Sequence, residues 1–229
     1  MKFITIKKRT LCAVLMILVT ICSVIGLYYA ARATSLPKPN RTIVIDAGHG
    51  GRDGGTVGKT TGVSESKLNL DYALELKNLC QQFGFEVVLT RSSMDGLYDE
   101  SASNKKKSEM EKRRQIINNS GADLMISLHM NSFPLSSASG AQVFYAKGSS
   151  LGFELAKSVQ TSLSQNFENA RDYVSVGDYF VLNYSTVPAA LVECGFLSNP
   201  EEEKLLQTEQ YRQEFCYSVL YGIISYFDM

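Results

Sequence analysis

The first 41 residues of this 229-residue chain contain no aspartate or glutamate, while they hold Lys2, Lys7, Lys8, Arg9, Arg32, Lys38 and Arg41. The formal net charge of zero therefore hides two unlike parts: from Thr42 onward, 16 basic side chains stand against 23 acidic ones, a balance of −7. That sign argues against a domain that holds nucleic acid through its phosphates. Cysteine is sparse and scattered. Cys12 and Cys22 lie in an apolar run, and Cys80, Cys194 and Cys216 form no C-x-x-C pair. They read as small packed hydrophobes, which excludes a disulfide framework and a thiolate metal site. Neither an internal repeat nor a low-complexity segment is present. Histidine is scarcer still, with only His49 and His129 in the whole chain.

What is abundant is apolar sequence, 45% of the chain, enough for one sizeable core and no forced second domain. Leu11 to Ala31 is an uncharged run of 21 residues behind a basic cluster. At about 1.5 Å per helical residue it would span roughly 30 Å, the thickness of a bilayer's hydrocarbon core. The basic flank is expected to stay in the cytoplasm, placing residues 32–229 outside. Ala31-Arg32-Ala33 has the small-x-small form of a cleavage site, yet the apolar run is longer than a usual signal peptide, so residues 1–33 read as a signal anchor or a signal peptide. Residues 34–41, stiffened by Pro37 and Pro39, form a linker, and residues 42–229 form the folded domain.

Within that domain buried strands alternate with amphipathic helices. Strands are expected at Thr42–Asp46, Phe85–Leu89, Leu124–Leu128, Ala141–Tyr145 and Ala189–Glu193. Helices are expected at Ser64–Phe83, where Leu68, Tyr72, Leu76 and Leu79 keep helical spacing, and at Ser108–Ser120, Leu151–Phe167 and within Glu201–Phe227. This alternation predicts an α/β single domain: a mostly parallel, twisted sheet with helices on both faces, preceded by the N-terminal transmembrane or signal helix. Ligands in such folds collect at the carboxyl ends of the strands.

Both histidines directly follow predicted strands, His49 in TIVIDAGHGG and His129 in DLMISLHMN. A neutral imidazole is a good zinc donor, and two placed at equivalent strand ends could converge; two hydrogen-bonded loop histidines are the bland alternative. A catalytic zinc needs three protein ligands, and His, His and carboxylate is a common set. Glu65 opens the first helix, with Ser64 as its cap. It could be the third ligand or merely complement the helix dipole. Glu193 closes the apolar strand in VPAALVECGFLSN, where an unpaired charge would cost several kcal/mol. A salt bridge would satisfy it; so would general base and then general acid work beside a metal.

The strings GHGG (48–51), Glu65 with Leu68-Asn69-Leu70, LTR (89–91), ADLMISLHMN (122–131) and ECGFLSNPEE (193–202) occur in an order and spacing that closely resemble the zinc-dependent N-acetylmuramoyl-L-alanine amidases of the type-3 family. The resemblance covers residues 42 to about 227. It implies that one zinc ion is held by His49, Glu65 and His129, that Glu193 is catalytic, and that Asn131 lies near the substrate. The implied reaction is hydrolysis of the amide between N-acetylmuramic acid and L-alanine in bacterial peptidoglycan. Two positions depart from the family's habit: Ser66 stands where Lys is usual after the metal glutamate, and Gln142 where Glu is usual in the following strand.

Some family members insert a long helix that blocks the zinc groove. The ten residues between His129 and Gly140 are serine-rich and too few for one, so an open site is expected, with regulation left to a protein partner, timing or location. No wall-binding repeat is seen, and a short, membrane-proximal form of this kind resembles the sporulation-associated amidases that prepare spore cortex for germination. A vegetative wall-remodelling enzyme would look much the same. The expected place of action is extracytoplasmic, at the membrane or in the wall, with the glycan strand and stem peptide as partners and no nucleic acid. The alternatives are a zinc peptidase or deacetylase acting on another wall bond, and a wall-binding scaffold without turnover.

Overall fold

In the computed structural model of this chain, residues 16–24 and 41–228 are described. Residues 16–24 are helical (α1). The expected membrane-crossing run of residues 11–31 falls largely outside the described residues, among which no helix is long and apolar enough to cross a membrane.

The larger unit is a three-layer α/β domain. Its strands are β1 (Thr42–Ala47), β2 (Glu86–Leu89), β3 (Leu124–Asn131), β4 (Gln142–Tyr145), β5 (Ser175–Val176) and β6 (Ala189–Phe196). Its helices are α2 (Glu65–Gln82), α3 (Lys105–Asn119), α4 (Ser150–Asn166), α5 (Phe180–Asn183), α6 (Pro200–Leu206) and α7 (Glu209–Phe227). The sheet runs in the order β2-β1-β3-β6-β4-β5. It is mixed: β4 pairs antiparallel with β6, while every other neighbouring pair is parallel. The expectation of a mostly parallel sheet is corrected at β4. No helix lies between β3 and β4, so β4 cannot cross over and return parallel, and a loop turns it back instead.

One sheet face is covered by α2, α4 and α7. Ile43, Ile45, Ile126 and Val192 of the strands meet Leu68, Tyr72 and Leu76 of α2, Leu155 and Val159 of α4, and Phe215 and Val219 of α7 in the main core. Among the described residues the other face carries only α3 and the single turn of α5, with Val44, Met125 and Leu191 packed against Ile117, Val181 and Leu182. The thinner cover matters, because it leaves room for an opening on that face.

α3 is unusual among these helices. Its inward stripe is Glu109, Arg113 and Ile117, two charged residues and one apolar. It begins at Lys105, three residues before the expected start, because Asn104 caps it by accepting a hydrogen bond from Lys107 N at 2.9 Å.

Strand order reverses about β1: the chain passes from β1 to β2 on one side and reaches β3 on the other. The crevice at the carboxyl ends of β1 and β3 is the position where such sheets place ligands.

Candidate metal centre and active site

β1 delivers the chain to Gly48 and His49 at the top of the sheet. His49 has φ of 60°, a left-handed conformation that a side-chain-bearing residue holds only when its surroundings enforce it. Two buried guanidiniums do so. Arg91 donates through Nε to Ala47 O at 3.0 Å and through Nη2 to Gly48 O at 2.9 Å and Ser66 O at 2.7 Å. Arg113 donates through Nη1 to Ala47 O at 2.7 Å and through Nη2 to His49 O at 2.9 Å. Three successive carbonyls of the turn are thereby held from two sides.

Arg113 is itself fixed by carboxylates. Its Nη1 lies 2.6 Å from Asp46 Oδ1 and its Nη2 lies 3.0 Å from Glu109 Oε1. Asp46, fully buried, also accepts from Thr90 Oγ1 at 2.7 Å and Ser127 Oγ at 2.6 Å. Burial opposes ionisation of Asp46, but Arg113 and the two hydroxyls outweigh it and hold the carboxyl below its ordinary range.

The sequence-expected ligands converge. His49 Nε2 and His129 Nδ1 each lie 3.0 Å from Glu65 Oε1, and the three donor atoms all fall within 4.8 Å of one another. Glu65 reaches the site from the first position of α2. Ser64 occupies the cap position there but makes no capping hydrogen bond. The Glu65 carboxylate is steered instead by Thr56 N, 2.8 Å from Oε2, and by Asn69 Nδ2, 3.3 Å from Oε1. Burial works against the charged form of Glu65, yet the two imidazoles overcome it and keep the carboxyl well below its usual range.

His129 lies within β3, not just past it. A bulge between His129 and Asn131 lets the strand continue pairing with β6 as far as Phe196. Its ring fills the space over Gly48, where an added Cβ would sit 2.2 Å from Cε1 and 2.3 Å from Nε2. Only glycine fits at position 48.

Glu193 is the register partner of His129 across the β3–β6 pair, the fifth of eight buried residues of β6 and so not at the strand's end. It is 7% exposed, and its Oε2 is buried without a hydrogen-bond partner. Burial pushes its pKa up to about 7, with the charge of His129 pulling the other way and that of Glu65 adding to the rise. A carboxyl poised near neutrality is suited to moving protons in both directions. Asn131 lies two residues beyond His129, across the bulge, and its Oδ1 accepts from Ser132 N at 2.7 Å.

The donor set passes a test of fit for a metal. His49 presents Nε2 to the site while its Nδ1 lies 3.0 Å from Asp53 Oδ1, the outer carboxylate contact that fixes the tautomer of metal-bound histidines. Burial disfavours protonated His49, but Glu65 and then Asp53 outweigh it and raise its pKa. Such a raised proton affinity marks a place prepared for positive charge.

Residues 43–225 match the family model of N-acetylmuramoyl-L-alanine amidases. The chain belongs to this family. Among curated proteins, a germination-specific N-acetylmuramoyl-L-alanine amidase of Bacillus subtilis is 36% identical over 197 residues, covering 84% of this chain and 82% of its own length. Among solved structures, the CwlD amidase of Clostridioides difficile, in complex with the GerS lipoprotein, is 36% identical with a TM-score of 0.78, covering 82% of this chain and 99% of that one. An N-acetylmuramoyl-L-alanine amidase of Clostridium difficile 630 is 33% identical with a TM-score of 0.73, covering 82% and 97%.

In this amidase three of the residues expected from sequence, His49, Glu65 and His129, bring donor atoms together, and Glu193 stands opposite His129 in the β3–β6 register. Sequence reasoning missed Asp53, Asn69 and the Asp46–Arg113–Glu109 set. Asp53 was within reach, because a carboxylate four residues after a candidate ligand, in a glycine-rich turn, can fold back on the ring. The two departures from the family's habit are accommodated. Ser66 is buried with its hydroxyl donating to Ser64 Oγ at 3.3 Å, and Gln142, register partner of Glu193 on β4, donates from Nε2 to Ser175 Oγ at 2.9 Å.

Proposed function

We propose that this chain hydrolyses the amide between the lactyl group of N-acetylmuramic acid and L-alanine in peptidoglycan, with one zinc ion held by His49, Glu65 and His129. The observation that carries the reading is the buried Glu193, its Oε2 without a partner, opposite His129 in the register of the strand that holds one of three converging donor atoms. When bound, zinc would supply Lewis acidity toward the scissile carbonyl and lower the pKa of water toward about 7. Glu193 takes the proton of the attacking water and returns one to the leaving nitrogen of L-alanine. Asp53 keeps the His49 ring in the ligating tautomer, and Asn69 and Thr56 hold Glu65 in place. Asn131, beyond the bulge, contacts the substrate near the cleaved bond. The loop between β3 and β4 contains no helix, so the crevice stays open to a polymeric wall strand.

The likeness to a germination-specific relative supports action on spore peptidoglycan, outside the cytoplasm. Residues 11–31 are read as the leader that exports or anchors the domain. A relative's complex with a lipoprotein supports regulation by a protein partner at the membrane.

The test is digestion of purified peptidoglycan by residues 34–229, with mass analysis of the products. The account expects intact stem peptides with a free L-alanine amino group, activity lost to a chelator and restored by zinc. Products that keep L-alanine on the glycan would assign the site to another wall bond.

A further inference from the structure

A cavity of about 430 Å³ opens beside the two histidines, under α3 and α5 on the thinly covered sheet face. That volume is within the range of small-ligand pockets. Met110, Val181 and Leu191 give it an apolar wall. Its floor charges are matched internally: Asp46 and Glu109 are held by Arg113, with Arg91 close enough for their charges to act on it. Asp53 is matched by His49.

The rim cations are matched only in part: Lys106 acts on Asp53 and Arg52 on Glu100 from beyond ion-pair distance. Tyr98 gathers two cations over its ring, with Arg52 Cζ at 6.0 Å and Lys105 Nζ at 5.2 Å from the centroid. Lys105 pairs with Glu100 at 2.6 Å, but neither Arg52 nor Lys106 forms an ion pair among the described residues. Lys105, Lys106 and Lys107 also fill the first turn of α3, a turn without an acidic residue of its own, where cations oppose the helix dipole. A helix start that runs against its own dipole is expected where function requires it.

We propose that Arg52 and Lys106, with Lys105 behind them, form an anion subsite that takes a free carboxylate on the peptide half of the substrate, next to the scissile amide. The subsite rests on the amidase reading above. With the cleaved carbonyl at the histidines, the peptide half of the substrate lies along the cavity that His49 and His129 share with Arg52 and Lys106. The apolar wall packs the peptide's aliphatic atoms, and the rim cations meet the α-carboxylate of the residue after L-alanine.

Two soluble muramoyl tripeptides test this with the zinc-loaded, full-length enzyme. Both end in a neutral, amidated third residue joined through the side-chain carboxyl of the second, a glutamate, and they differ only in whether that glutamate's α-carboxyl is free or amidated. The free acid should be cleaved with a kcat/KM roughly tenfold higher, carried mainly by KM, since the rim is exposed to solvent. Raising the ionic strength should shrink that ratio. Arg52→Ala combined with Lys106→Ala should bring the ratio to about one, whereas Arg52→Lys with Lys106→Arg should keep it. A wild-type ratio of one, or full preference surviving in the double alanine variant, overturns the subsite. A wild-type enzyme that frees peptide from neither substrate would refute the amidase reading itself.

Discussion

At the scale of single residues, the site is governed by where charge is placed and what is left unpaired. Glu193 has no hydrogen-bond partner for Oε2, and its burial resolves into a pKa of about 7 rather than into a salt bridge. Glu193→Gln should lower kcat by about 10²–10⁴-fold while zinc stoichiometry, measured by metal analysis, stays at one per chain. Carbon-13 NMR of Glu193 in chelated protein should show titration near neutrality. Adding zinc should move that titration downward, because a nearby dication favours the carboxylate. An upward move would contradict the geometry. Gly48 is the complementary case, where absence of a side chain is the requirement. Gly48→Ala would drive a methyl into the His129 ring, and zinc affinity by competition titration should fall about 10–100-fold.

At the scale of elements, the two arginines explain how a strained turn is held. Asp46 and Arg113 join β1 to α3, and Arg91 joins the end of β2 to the same turn. Breaking a buried pair of this kind costs about 3–5 kcal/mol, so Asp46→Asn should lower stability by that order in denaturant unfolding. The pH dependence follows from the depressed pKa of Asp46. Its contribution is complete above the unfolded value of about 3.9 and is lost as pH falls through the lower folded value. The wild type should therefore lose stability steeply in that acid range, and Asp46→Asn should flatten that part of the curve. Most elements were legible in the sequence, because the central strands are continuous apolar runs too short for helices and bounded by turn residues, and the Leu68–Leu79 stripe keeps a helical period. The rest was not, for physical reasons. β5 has two residues and α5 four, too few to show any period. The inward stripe of α3 is Glu109–Arg113–Ile117, so hydrophobic periodicity could not find its face or its start. Nothing in the alternation of β4 distinguishes a parallel from an antiparallel neighbour.

At the scale of the whole molecule, the fold brings residues 49, 65, 129 and 193 together through the strand-order reversal between β1 and β3 and the central place of β6. No single span of sequence contains that information; the five family strings taken together carried it, while the cavity under α3 emerged only from the packing. Binding of a metal to the folded domain alone should also stabilise it globally. Free zinc at 100 times its dissociation constant adds about 2.7 kcal/mol, a rise of roughly 5–10 °C in Tm for a domain of this size. His129→Ala should abolish that rise. The central claim is that one divalent ion is gripped by two distant imidazoles and one helix-borne carboxylate. Anomalous diffraction at the zinc edge tests it most directly. The account predicts a single peak about 2.0–2.2 Å from His49 Nε2, His129 Nδ1 and a Glu65 oxygen. A zinc-soaked crystal with no peak in that crevice, or with its peak on other side chains, would contradict it.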